Sequence, residues 1–164
     1  MIETALLCLA LNVYFEARSE PIAGQLAVAE VTLNRVASPD YPNTICGVVL
    51  QKKGKTCQFS WWCDGKSDKP TERYAFQQSK ALAKMMIEDG EYISVVGKNV
   101  THYHAQSVNP YWSNDLGYVQ KLGNHIFYTK KETKPLPRPT QLICEVLPYH
   151  VYIQNICIKY EEGI

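Results

Sequence analysis

Two stretches of apolar residues at helical spacing, 2–18 and 22–36, are divided by Ser19-Glu20-Pro21, and this junction sets most of what the chain can fold into. Ile2, Leu6, Leu9 and Val13 recur every third or fourth residue, and further apolar residues widen the stripe, which predicts a first helix enclosed on most sides. Proline pushes the residue before it out of helical space, so Pro21 ends that helix or forces a turn. Leu26, Ala29, Leu33 and Val36 then mark one face of a second helix.

Ser38 to Asn43 carries breaker residues throughout and reads as a loop, and Ile45 to Leu50 as one or two helical turns. Residues 51–70 are rich in Lys, Gly, Ser and Asp yet hold Phe59, Trp61 and Trp62, a surface loop carrying aromatics. A further helix is predicted from a Thr71 cap to a stop at Asp89-Gly90. Short β-prone pieces follow at 93–96, 100–104 and 126–128. The expected class is therefore α+β, mainly helical, with a small β region. Residues 1–130 form one domain in this reading. The remainder, 131–164, is a proline-rich connector (Pro135, Pro137, Pro139) and an apolar tail, packed on the domain or extending it as edge strands or an oligomer contact.

A chain of 164 residues suits one domain whose core needs no external staple. Lys+Arg 17 against Asp+Glu 16 leaves a formal charge of +1, which argues against nucleic acid as partner, since that calls for a basic stripe. The apolar N-terminal run is too short and too soon interrupted to span a membrane. It carries Glu3 where a secretory signal would carry Lys or Arg, so no export signal and no membrane insertion are expected. None of the six cysteines forms a CxxC pair, and Cys46, Cys57 and Cys63 cluster around one loop, bridged in an oxidising space or reduced otherwise.

Glu16 is the first candidate for chemistry. It ends an apolar helix between Phe15 and Ala17, where apolar surroundings and the negative end of the helix dipole both disfavour a carboxylate. A carboxylic acid that keeps its proton near neutral pH is what donation to a glycosidic oxygen needs. The loops are dense in aromatics (Phe59, Trp61, Trp62, Tyr103, Tyr111, Trp112, Tyr118, Tyr128), which can cover the flat faces of sugar rings; the alternative is that many of them are core. His102 and His104 share a strand face and could approach a metal, with a third ligand from His125, Asp115 or a cysteine. No second metal-binding pair accompanies them, and no metal or other cofactor is expected. A Cys57 or Cys63 nucleophile served by His102 or His104 has no local spacing in its favour.

Several blocks, in order, resemble the SleB-type cell wall hydrolase family of spore-cortex-lytic enzymes and phage or bacterial lysins. They run Val13-Tyr14-Phe15-Glu16-Ala17-Arg18-Ser19-Glu20-Pro21, residues 24–36, residues 41–49, Cys57-Gln58-Phe59-Ser60-Trp61, Thr101-His102-Tyr103-His104-Ala105 and Val108-Asn109-Pro110-Tyr111-Trp112. The family usually has glycine at the position of Ser19. The resemblance implies a lysozyme-like, lytic-transglycosylase-like domain that cuts the MurNAc–GlcNAc bond of peptidoglycan glycan strands. It puts the essential acid on Glu16 and substrate contacts on Gln25, Thr32, Phe59, Ser60, Tyr103, Asn109 and Trp112. A single acid suffices where the muramoyl C6 hydroxyl closes onto C1 to leave a 1,6-anhydro end; a water-using enzyme needs a second carboxylate, for which Asp64, Asp115 and Glu20 stand nearest in sequence. A monomer acting on the cell wall is expected, as a phage or bacterial lysin that is delivered through a holin, released by lysis or carried on a virion. The alternatives are an amidase cutting the muramoyl–peptide bond and a non-catalytic wall-binding or virion module.

Overall fold

The computed structural model describes residues 2–90, 93–131, 151–153 and 156–158. Its helices are α1 (Ile2–Ala17), α2 (Ile22–Ala37), α3 (Ile45–Val49) and α4 (Arg73–Asp89). Its strands are the short pair β1 (Lys52–Lys53) and β2 (Thr56–Cys57), then β3 (Val100–Ala105), β4 (Leu116–Leu122) and β5 (His125–Lys130), and last β6 (Val151–Ile153) and β7 (Ile156–Ile158). Single 3-10 turns fall at Ser60–Trp62 and Tyr111–Asn114. Among the described residues no helix is long and apolar enough to cross a membrane.

The most enclosed helix is α2, while α1, expected to be enclosed on most sides, keeps exposed positions. Every residue from Ala23 to Thr32 is buried, whereas Leu7 on α1 is 47% exposed. Small side chains explain the difference: Ala23, Gly24, Ala27 and Ala29 let neighbours approach α2 from every side. Leu26 and Ala29 pack with Leu9, Val13, Leu82 and Met86 of α1 and α4, while Ala27 and Val31 pack with Val100 and Phe127 of the sheet. The Pro21 break falls where expected. Glu20 N–H donates to the Ala17 carbonyl at 2.9 Å and α2 resumes at Ile22.

The three-stranded sheet is antiparallel in the order β3-β5-β4, with His102 opposite Tyr128 and Tyr118 opposite Tyr128 across the central strand. Strand β4 escaped the sequence reading because Gly117, Gln120 and Lys121 break its apolar alternation, as suits an edge strand. Gly123 at the β4–β5 turn has φ +57°, and a Cβ there would strike the Glu20 carboxylate and Pro21. Glu20 in turn accepts from the Asn124 backbone and side-chain amides at 2.8 and 3.2 Å, tying the hairpin tip to the α1–α2 junction.

Three local expectations are corrected. Residues 93–96 form no strand, because the backbone N–H groups of Val95, Val96 and Gly97 point at the buried Glu30 carboxylate (2.6, 2.8 and 3.1 Å), which Ser94 Oγ also reaches at 2.8 Å. Replacing Glu30 by Gln puts an amide donor among these donors. The expected cost is about 2–3 kcal/mol of stability, read from denaturant midpoints. Thr71 does not cap α4, whose N-cap position is Glu72; the Tyr14 hydroxyl of α1 accepts from the Thr71 and Glu72 amides just before the helix, at 3.2 and 3.1 Å. Cys46 pairs with Cys8 of α1, not within its own loop, and Cys57 pairs with Cys63. The tail contributes the antiparallel pair β6–β7. The connector over 132–140 and the packing of the tail lie outside the described residues.

Candidate active site

Glu16 is the penultimate residue of α1, half-buried, and sits one turn after Asn12. Asn12 is fully enclosed. Its amide donates to Thr32 Oγ1 at 3.2 Å, its carbonyl accepts from the Trp61 indole at 3.1 Å, and Thr32 donates on to the Val28 carbonyl. This network bolts α1 to α2 and to the aromatic loop. Phe15 stacks on Trp61 with ring centres 4.9 Å apart, so the wall beside Glu16 is aromatic and fixed.

Tyr103 reaches across from β3 and donates its hydroxyl to Glu16 Oε2 at 2.9 Å. Burial first, then the Glu16 charge, pushes the Tyr103 phenol well above its ordinary range, so it stays a donor throughout. Its partner is displaced too. Burial raises the Glu16 carboxyl above the usual carboxylate range, against the opposing pull of the Tyr103 bond and of the Arg35 charge. With Oε2 held by Tyr103, Oε1 is the oxygen free to carry a transferable proton. Tyr103→Phe removes a group that favours the anion. The basic limb of the pH–rate profile is expected to move to higher pH, with a several-fold loss of rate as Glu16 loses its anchor.

Glu16 opens on a cleft of about 320 Å³ that Phe15, Arg18, Ser60, Trp61, Asp64 and Lys66 also line. Larger hollows of about 500 and 450 Å³ lie at the C-terminal end of α2 and between α2 and α4. The first is lined by no carboxylate. The second does touch Glu30, but four donors hold that carboxylate.

Of the residues expected to contact substrate, Ser60 lines this cleft and Tyr103 touches the acid. Three others are buried and engaged with neighbouring residues. Thr32 belongs to the Asn12 network, Phe59 lies beneath the Arg35 guanidinium at 5.3 Å, and Gln25 donates to the Glu20 carbonyl at 3.0 Å. Asn109 is exposed, on the loop after β3, and accepts from Ser113. Trp112 packs on His102, His104 and Tyr128 (5.4, 5.6 and 5.7 Å), on the sheet face opposite Tyr103, because alternate strand residues point opposite ways.

The two histidines do share a strand face as expected; His102 Nδ1 meets Thr101 Oγ1 at 2.9 Å, and both ring nitrogens of His104 are engaged. His104 Nδ1 donates to the Ala105 carbonyl, and Nε2 hydrogen-bonds with the Tyr128 hydroxyl at 2.9 Å. Burial, with the Arg35 charge behind it, lowers His102 to about 4, so it is neutral at pH 7. The cysteine-nucleophile reading is overturned, since Cys57 and Cys63 are bonded to each other. Two of the proposed second carboxylates lie away from the cleft lining: Glu20 holds the hairpin, and Asp115 is exposed after the 3-10 turn at 111–114. Asp64 remains at the cleft, its Oδ1 accepting from the Lys66 amide at 2.9 Å. Sequence reasoning missed Arg35, whose burial inside α2 left no mark in the apolar pattern.

Comparison with known proteins places this geometry. The profile of the family described as Cell Wall Hydrolase matches residues 19–128, beginning three residues after Glu16. The spore cortex-lytic enzyme of Bacillus cereus is 29% identical over 115 residues, 70% of this chain and 40% of that protein. That of Halalkalibacterium halodurans is 51% identical over 116 residues, 70% of this chain and 32% of that protein. The chain thus spans well under half the length of these relatives. The catalytic domain of the germination-specific lytic transglycosylase SleB from Bacillus anthracis superposes with a TM-score of 0.61 at 28% identity, over 77% of this chain and 95% of that domain. The corresponding Bacillus cereus domain gives 0.59 at 27% identity, over 77% and 91%.

Proposed function

We propose that this chain, which belongs to the cell wall hydrolase family, cuts the glycan strands of peptidoglycan as a lytic transglycosylase, with Glu16 as its one acid and base. The observation that carries the reading is the Glu16 carboxyl, raised by burial and held by Tyr103 at a cleft walled by Phe15 and Trp61. Likeness to the SleB catalytic domain, along nearly its whole length, supports the same reaction class.

The chemistry follows from that carboxyl. Glu16 gives its proton to the oxygen linking N-acetylmuramic acid to N-acetylglucosamine, and the C1–O bond breaks as the N-acetylglucosamine leaves with its hydroxyl restored. The muramoyl C6 oxygen bonds to C1, and its proton passes to the Glu16 carboxylate. The acid is thereby regenerated and the product carries a 1,6-anhydro ring. No water enters and no second carboxylate is required, which distinguishes this course from the paired-carboxylate glycosidases. Phe15 and Trp61 supply a rigid apolar wall for a sugar face, and Ser60 a hydroxyl at the rim.

Asp64 lines the same cleft and is the residue through which a water-using course would run. The Asp64→Asn variant separates the two. Clearing of purified sacculi is expected to continue within a few-fold of the parent rate. A loss of about 10²-fold or more would assign Asp64 a general-base or nucleophile role and overturn the transglycosylase reading.

A further inference from the structure

Arg35, near the C-terminal end of α2, is 4% exposed, and no carboxylate among the described residues stands within ion-pair distance of it. Nε donates to the Thr101 carbonyl at 2.8 Å, the guanidinium carbon lies 5.4 and 5.3 Å from the ring centres of Tyr41 and Phe59, and Nη1 has no hydrogen-bond partner. Buried charges are ordinarily paired, because removing water from an ion costs several kcal/mol. Here that cost is borne against residues that pack around the acid's partner. Thr101 stands two residues before Tyr103 on β3, Phe59 packs in one cluster with Phe15 and Tyr103, and Tyr103 holds Glu16.

We propose that Arg35 is a positioning residue of the acid–base site, its buried and unneutralised guanidinium stabilising the anion that Glu16 becomes after giving up its proton. The inference rests on Glu16 being the acid. A carboxyl pushed toward its neutral form by burial donates readily but re-forms its anion poorly. A fixed positive charge behind it makes that anion accessible without an ion pair that would lock it. Other charges face Glu16 from elsewhere. Arg18 is drawn off by Glu72 at 2.6 Å, while Asp64, Lys66 and Asp68 sit on the cleft lip, where water screens them. Tyr103 is neutral and donates. Arg35 is the cation reaching the site through the protein interior, and it opposes the effect of burial on both Glu16 and Tyr103.

The test uses the full chain labelled with 13C at glutamate carboxyls. The Glu16 signal is assigned by its absence in Glu16→Gln and titrated by NMR alongside a pH–rate profile on sacculi. Arg35→Met keeps the stack on Phe59, and Arg35→Gln keeps a donor for Thr101; both remove the charge. In either, the Glu16 midpoint is expected to rise by about one pH unit, with the basic limb of the rate profile following it. Arg35→Lys, whose ammonium stands farther off, is expected to fall between parent and neutral variants. An unmoved or lowered midpoint in a folded neutral variant overturns the inference, because a purely structural role lowers the melting temperature without moving the titration. Should neither neutral variant fold, an unmoved midpoint in Arg35→Lys overturns it equally. A midpoint that rises while the rate profile stays put overturns instead the assignment of Glu16 as the acid.

Discussion

Glu16→Gln is expected to lose about 10³-fold or more of its activity on purified sacculi while binding them as the parent does. Glutamine keeps the size of the side chain and can still accept from the Tyr103 hydroxyl, so the 2.9 Å contact and the cleft around it persist. What disappears is the transferable proton and the base that retrieves one. The same variant carries a second signature. Because burial raises the Glu16 carboxyl in the folded state, the folded protein keeps a proton that the unfolded chain has already lost over the interval between their two midpoints. There the unfolded state binds fewer protons, so stability falls as pH rises through the folded midpoint. Replacing Glu16 removes that penalty. Thermal melts of parent and variant are expected to coincide at pH values below the ordinary carboxylate range and to separate above the raised midpoint, with Glu16→Gln the more stable. A variant less stable at alkaline pH would mean that the carboxylate is well solvated and unsuited to the role.

The largest expected effect on stability comes from reducing the Cys8–Cys46 bridge. It joins α1 to α3 across 38 residues, with Cα atoms 5.3 Å apart, and the loop it closes contains the whole of α2. For a loop of that length the chain-entropy relation gives about 4 kcal/mol, which in a domain of this size is a fall of roughly 10 °C in melting temperature. Cys57–Cys63 closes only a short loop, so its loss is expected to matter less for global stability and more for the aromatic wall, since the 3-10 turn carrying Trp61 lies inside it. Cys8→Ser and Cys57→Ser, melted separately with and without reductant, distinguish the two. A Cys8→Ser protein that melts with the parent would contradict the account of how α1 and α3 are held.

The sequence was most legible where one physical rule acted alone. Pro21 marked the α1–α2 break, because a missing amide and a blocked backbone region leave little local alternative. Glu16 stood out for the same reason: a carboxylate at the end of an apolar helix is an expensive arrangement whatever surrounds it. Legibility failed where a distant side chain intervened. Residues 93–96 have strand propensity, yet the Glu30 carboxylate claims their amides from 65 residues away. The segment leading into α4 is held by a tyrosine 57 residues upstream, and Cys46 finds its partner in the first helix. Resemblance marked Thr32, Phe59 and Gln25 as belonging to the site without telling support from contact. Only their burial shows that Thr32 locks Asn12 and that Phe59 carries Arg35.

The account turns on whether Glu16 drives closure of the muramoyl ring onto itself, and the chemistry of the cut ends reads this directly. Purified sacculi digested with the parent protein, then analysed by mass spectrometry, are expected to release muropeptides ending in 1,6-anhydro-N-acetylmuramic acid, absent from the Glu16→Gln digest. Reducing muramic acid termini in the parent digest, or anhydro ends undiminished in Glu16→Gln, would contradict it.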